Sequence, residues 1–343
     1  MFDIENLVRP NIRALKPYAS ARDEFSGKEG TFLDANENPF GTLNRYPDPY
    51  QKELKKQISL LKEIDDRKIF LGNGSDEIID LCYRIFCNPG KSKALSFTPT
   101  YGMYEVSAAI NEVEMIKLPL NENFQIDLKS TIQLLKDVDL KIIFVCSPNN
   151  PTGNLIKTET IESILKNFRG IVIIDEAYID FANADSWIKR LSEFPNLIVS
   201  QTFSKAWGMA GVRVGMAFAD GKIVTFLNKV KPPYNISIPN QKQILKKLGD
   251  KKSTFLQLNT LISERNRLLI NLKKLTGIEK IYASDANFIL IRVKDANKIY
   301  QQLLDLRIII RNRNSVIENC LRLSVGKPSE NKKLINALKN ILS

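Results

Sequence analysis

The chain has 343 residues, of which 43% are hydrophobic and 26% charged, with 15 Pro and 16 Gly, a composition that excludes a disordered or fibrous protein and suits one or two globular domains. It contains no histidine, which rules out a Ser-His-Asp triad and imidazole ligation of a metal and leaves any proton transfer to another base. The net charge of +12 comes from lysines spread along stretches such as QKELKKQ and ENKKLINALKN without basic-aromatic alternation, a pattern that argues against nucleic acid and favours small anionic partners.

The opening MFDIENLVRPNIRAL carries Asp3, Glu5 and Pro10, so no secretory leader is expected. Apolar runs such as IIFVC and IVIID are far shorter than the ~20 residues of a membrane span, and none is expected. Cys82, Cys87, Cys146 and Cys320 form neither a C-x-x-C pair nor a disulfide framework, which points to reduced thiols in the cytoplasm and to no metal site. Residues 1–44 are rich in turn signals and are expected to pack on a small domain or on the active site. From 45 to 238, apolar runs alternate with amphipathic segments. The reading is helix 50–62, helix 75–87, strand 93–97, helix 101–110, strand 113–117, helix 127–136 and strand 141–145. Helix 158–167 and strands 170–175, 197–201 and 213–218 follow. Such alternation predicts an α/β fold with a mostly parallel sheet flanked by helices. Residues 239–343 read as a smaller α+β domain: one long helix over 239–275, strand 287–293, helix 295–305, strands near 307–310 and 320–324, and helix 328–342.

The segment IVIIDEAYIDF places Asp175 at the end of a β-branched run, where open α/β sheets bind ligands, with Tyr178 one turn later. In QTFSKAWGMAGVRVG, Ser204 and Lys205 follow a strand, and glycines flank Arg213. A desolvated lysine has its pKa lowered from ~10.4 toward ~7–8 and becomes a usable nucleophile and base. CSPNNPTGN sets Asn150 at another strand end, and FLGNGSDEIIDL sets Gly74, Ser75 and Asp76 at a helix start able to cradle a phosphate. Taken singly, each fragment also has a plain structural reading, as a core aspartate, a surface lysine, an Asn-Pro turn or a glycine turn with an N-cap. No dinucleotide fingerprint or P-loop is present, since Glu77 and Ile85 stand where the required glycines would be.

In that order, Asn150, Asp175, Tyr178, Ser204, Lys205 and Arg213 resemble the fold-type-I pyridoxal-phosphate enzymes. LVRPNIRALKPYASAR at 7–22, LDANENPFG at 33–41, RYPDPY at 45–50, FTPTYGMYEVSA at 97–108 and CLRLSVGKPSEN at 320–331 are similar to the histidinol-phosphate aminotransferase family over nearly the whole chain. The resemblance implies pyridoxal 5'-phosphate held by Lys205 as a Schiff base, its ring nitrogen on Asp175 and its phenolic oxygen on Asn150 and Tyr178. It further implies that Tyr101 stacks on the ring. The phosphate would lie on Gly74, Ser75, Asp76, Ser204 and Arg213, with Tyr46 reaching it from the second subunit of a homodimer. Arg322 and Arg311 are the implied anion clamps, and Tyr18 and Asn36 the implied further substrate contacts. Aromatic and threonine-phosphate-type enzymes would share the cofactor constellation and differ only in the substrate contacts.

Overall fold

The computed structural model describes residues 3–18 and 30–342. The first part of the chain supplies α1 (Pro10–Ala14), α2 (Lys52–Lys62), β1 (Ile69–Gly72), α3 (Ser75–Phe86), β2 (Lys93–Thr98), α4 (Met103–Ile110) and β3 (Glu114–Pro119). It continues with α5 (Leu128–Leu134), β4 (Leu140–Cys146), α6 (Thr158–Asn167), β5 (Ile171–Asp175), β6 (Leu197–Thr202), β7 (Gly215–Ala219) and α7 (Gly221–Val230). These strands build a seven-stranded sheet in the order β1-β7-β6-β5-β4-β2-β3, in which β7 alone runs antiparallel to its neighbours.

Strand β5 is buried at every position, as a β-branched run inside a two-faced sheet should be. Alternate residues serve opposite faces: Val172 and Ile174 join the core beneath α6, whereas Ile171 and Ile173 join the core that α3 and α7 cover. The pairings Cys146↔Asp175 and Asp175↔Ser200 bring the ends of β4, β5 and β6 to one edge. Because β7 runs the other way, its first residue, Gly215, lies level with both Thr202 and Gly72. Two residues far apart in sequence thereby meet at the start of α3.

The rest of the chain forms α8 (Ile238–Gly249), α9 (Lys251–Leu272), β8 (Ile278–Ile281), β9 (Phe288–Val293), α10 (Ala296–Asp305), β10 (Arg311–Asn312), β11 (Cys320–Ser324) and α11 (Pro328–Leu342). A four-stranded antiparallel sheet, β10-β11-β9-β8, packs its apolar face on α9, α10 and α11.

Several sequence expectations need correction. The helix predicted over 239–275 is two helices, because the chain turns at Gly249 and the Asp250 side chain accepts the Ser253 N–H to start α9. The β-branched run at 307–310 is not a strand: Arg307 takes a left-handed φ of 56°, Ile309 is exposed, and pairing begins only at Arg311. Short β1 and β8 and the helix α7 were not anticipated. Residues 3–14 lie neither on the small sheet nor at the cleft; Ile4, Val8 and Ile12 pack into the core under α3 and α7, and the Arg9 N–H donates to the Ile85 carbonyl.

Candidate active site

Lys205 sits on a turn just past β6, closed by the Gly208 N–H donating to the Lys205 carbonyl at 3.0 Å. Phe203 and Trp207, packed edge to face 5.6 Å apart, sink the apolar sides of that turn into the core. The lysine between them therefore points into the cleft, with Nζ 5.7 Å from the centre of the Tyr178 ring. The residue as a whole is exposed toward the cleft mouth, yet its amine lies close enough to protein atoms for desolvation to lower its pKa. Arg322 lowers it further, while Asp175 and Asp76 oppose the shift.

Asp175 ends β5 with its carboxylate enclosed. Burial raises its pKa; the Tyr104 hydroxyl, which donates to Oδ2 at 2.6 Å, and the Ala177 N–H, which donates to Oδ1 at 3.1 Å, both act in the opposite direction. Beyond β4, Asn150 donates from Nδ2 to the Tyr178 hydroxyl at 3.4 Å and accepts from Arg322 Nη1 at 2.5 Å. Desolvation holds the Tyr178 phenol above its ordinary range.

At the start of α3 the backbone makes room for an anion. Gly74 has φ 79° and ψ 168°, a conformation nearly restricted to glycine, and a Cβ there would stand 2.6 Å from Arg213 Nη2. A Cβ on Gly215 would stand 2.4 Å from the Ser75 nitrogen. The first N–H groups of the helix therefore lie bare beneath a guanidinium, an arrangement suited to phosphate oxygens. Arg213 Nη2 also lies 3.4 Å from Asp76 Oδ2, and Asp76 Oδ1 accepts the Tyr101 hydroxyl at 3.0 Å.

Ser75, Asp76, Tyr101, Asn150, Asp175, Tyr178, Ser204, Lys205 and Arg213 line one cavity of about 130 Å³. An outer cavity of about 630 Å³ shares Tyr101, Asn150, Tyr178 and Lys205 with it and adds Arg311, Arg313 and Arg322. Arg311 and Arg322 face each other across β10 and β11, and Arg322 also lies 5.1 Å from the Phe288 ring centre. Desolvation lowers the pKa of both Arg313 and Arg322, and their buried Nε atoms have no hydrogen-bond partner among the described residues. Such cations call for anions from outside the chain.

Three expected residues are not drawn into the cleft of the single chain. Tyr18 is 70% exposed, Asn36 is exposed with a left-handed φ of 53°, and Tyr46 stacks on Tyr234 at 4.4 Å. Sequence reading assigned no role to Tyr104, Cys146, Thr202 or Arg313. Tyr104 was findable, since it lies three residues after Tyr101 at the start of a helix whose inner side faces the strand ends. Thr202 was not, because its task is local: Oγ1 accepts the Ser204 N–H at 3.1 Å.

An amine of lowered pKa, a buried carboxylate beyond a flat aromatic-lined slot and a glycine cradle for a dianion together fit a phosphate-bearing pyridine cofactor. Among the described residues no His/Cys/Asp/Glu group could hold a metal ion, and no helix is long and apolar enough to cross a membrane. Comparison with known proteins agrees with this chemistry. The chain is 51% identical over 346 residues to a histidinol-phosphate aminotransferase of Christiangramia forsetii, covering 99% of this chain and 98% of the relative. It is 50% identical over 344 residues to the Parabacteroides distasonis protein of that description, with 99% of each covered. Among solved structures, the histidinol-phosphate aminotransferase from Clostridium acetobutylicum superposes with a TM-score of 0.80 at 29% identity, over 87% of this chain and 91% of the other. The family described as aminotransferase class I and II matches residues 27–338, and the chain belongs to it.

Proposed function

We propose that this chain moves the amino group of L-histidinol phosphate to 2-oxoglutarate, giving glutamate, with pyridoxal 5'-phosphate as its cofactor. The observation that carries the reading is the set of three arginines, Arg311, Arg313 and Arg322, which lines the cleft with the lysine and has no acidic partner among the described residues. Both substrates are anions at the end that such a wall would meet. The full-length relatives at about half identity support the choice of donor.

The Gly74–Asp76 backbone, the Ser204 hydroxyl and Arg213 would hold the cofactor phosphate. Asp175 would face the ring nitrogen, Asn150 and Tyr178 the phenolic oxygen, and Tyr101 the ring itself. When bound, the cofactor supplies an electron sink that acidifies the Cα–H of the attached amine. Lys205 Nζ would take the Cα proton of the donor and return it to the carbon on the far side of the amine nitrogen, a task for which its lowered pKa suits it. Arg322, braced by Asn150, grips the anionic end of whichever substrate is present and holds Cα beside the amine.

A homodimer working in the cytoplasm completes the proposal. Leu33, Phe40 and Leu43 are exposed along the stretch that precedes Tyr46, a surface suited to burial against a second subunit that would carry Tyr46 to the partner's phosphate site. The four buried free thiols suit a reducing compartment. The division of residues 1–44, 45–238 and 239–343 into an arm, a large domain and a small domain belongs to the same reading.

A donor panel tests the function. With 2-oxoglutarate as acceptor, histidinol phosphate should exceed histidinol in kcat/KM by at least about tenfold for each charged hydrogen bond lost. Equal turnover of histidinol or phenylalanine would transfer the assignment to an aromatic aminotransferase. For the dimer, mixing Tyr46→Phe and Lys205→Ala subunits should restore part of the activity, and verified heterodimers without recovery would confine Tyr46 to its own chain.

A further inference from the structure

We propose that Tyr104 is a positioning residue for the reaction: its hydroxyl aims the Asp175 carboxylate and keeps it ionised for the cofactor's ring nitrogen. The proposal rests on the cofactor reading above and adds a role for a residue that touches neither substrate nor cofactor-binding backbone.

Among the described residues, two donors reach the carboxylate of Asp175. One, the Ala177 N–H, comes from the same turn and would be supplied by any residue at position 177 except proline. The other arrives from α4, a separate element, as the 2.6 Å bond from the Tyr104 hydroxyl to Oδ2. A phenol buried this deeply is raised further above its ordinary pKa and stays protonated, so it acts toward the carboxylate as a donor only.

The hydroxyl is also held in place. The Tyr104 ring stacks on Phe144 at 4.6 Å with 13° between planes and meets the edge of Tyr101 at 5.6 Å. Its carbonyl accepts the Tyr83 hydroxyl at 2.8 Å, and Tyr83 packs against Phe144 from the neighbouring helix. A donor fixed through its ring and its backbone fixes the oxygen that it bonds, and with it the direction in which the carboxylate faces the slot.

The other groups around Asp175 could not replace it. Asp76 at the head of α3 repels the carboxylate, and the Cys146 thiol on β4 is held neutral by burial. Lys205 attracts it, but that amine is consumed when it attaches to a carbonyl. The Tyr101 hydroxyl is committed to Asp76, and that of Tyr178 receives a bond from Asn150. The chain has no imidazole to offer.

Tyr104→Phe tests the idea, because it keeps the ring and its stacking while deleting the donor. In apoenzyme labelled with 13Cγ-aspartate, with the Asp175 signal identified by its loss in Asp175→Asn, the titration midpoint of Asp175 should rise by about one unit or more. In holoenzyme carrying 15N-labelled cofactor, the ring-nitrogen shift should move toward the unprotonated value. The kcat should fall by about tenfold at unchanged KM. Replacing Tyr104 with 3-fluorotyrosine, whose hydroxyl is the stronger donor, should move the Asp175 midpoint down, and it serves where Tyr104→Phe yields too little folded protein. An unmoved midpoint, or a moved midpoint with an unmoved ring-nitrogen shift, overturns the proposal while leaving the function standing. A wild-type protein with no Lys205-dependent visible absorption band on adding cofactor overturns both.

Discussion

The two walls of the cleft are built on opposite terms. On the large-sheet wall the carboxylates are answered from within the chain, Asp175 by Tyr104 and Ala177 and Asp76 by Tyr101 and Arg213, while Thr202 accepts the Ser204 N–H. On the small-sheet wall, Arg311 and Arg313 have no acidic partner among the described residues, and Arg322 bonds the neutral amide of Asn150. A wall whose acidic groups are already fixed in this way can hold one group in one pose. A wall of desolvated cations is incomplete until an anion arrives, and it can accept more than one kind, as a reaction with two successive substrates requires.

Substitutions on the two walls should accordingly fail in different ways. The largest effect belongs to Lys205→Ala, which should lower turnover by roughly 10²–10⁴-fold or more while cofactor is still retained by the cradle; stopped-flow single-turnover measurement gives the value. Activity within tenfold of wild type would move the proton transfer to another group.

On the opposite wall, Arg322→Lys replaces a planar fork with a point charge. A cost of roughly 1.5–3 kcal/mol corresponds to about ten- to a hundredfold in kcat/KM, with cofactor affinity unchanged. If this variant lost cofactor instead of substrate, the division between the walls would be wrong.

The cradle is sensitive to shape rather than to charge. Gly74→Ala forces a side chain into a backbone conformation that costs on the order of 1–3 kcal/mol and displaces Arg213. Cofactor affinity measured by fluorescence quenching of the apoenzyme should weaken about tenfold or more, whereas Arg311→Ala should leave it unchanged.

The smallest effect concerns Glu176, which braces the large-sheet wall from behind. Its carboxylate accepts from Ser186, from the Trp187 N–H and from Gln201, yet burial raises its pKa to about 7. The folded protein then holds a proton that the unfolded chain has released, so stability should decline as the pH rises from about 5 to about 7, by at most about 1.4 kcal/mol per pH unit. Urea unfolding across that range should show the slope in the wild type and a flatter profile in Glu176→Gln. Equal slopes would place the titration elsewhere.

The same contrast explains what the sequence disclosed. Asp175, Asn150 and Lys205 each follow a β-branched run, so their position at one edge of the sheet could be read from the chain alone. The anion cradle was legible as two glycines before a helix, but its other half was not. Gly215 meets Gly74 only because β7 is antiparallel, and nothing local marks a strand's direction. Tyr104 stands between these cases: its spacing from Tyr101 marks it as facing the strand ends, but the bond from its hydroxyl to Asp175 shows only in the structure. The break at Gly249 and Asp250 and the two-residue strand at Arg311 escaped because periodicity continues through a short interruption and a β-branched run overstates its own extent.

The placement of β1 has a consequence for how the protein is made. Among the described residues this strand lies at the edge of the large sheet and pairs with β7 alone, Ile69 opposite Phe218 and Gly72 opposite Gly215. As the chain leaves the ribosome, β1 is therefore among the first strands to emerge and has no partner until most of the large sheet has followed. During that interval IFLG is an unpaired apolar edge, and the nascent chain is open to wrong pairing and to chaperone capture. Translation stalled before residue 215 should leave the strand accessible to protease, and stalling some tens of residues after 219 should protect it.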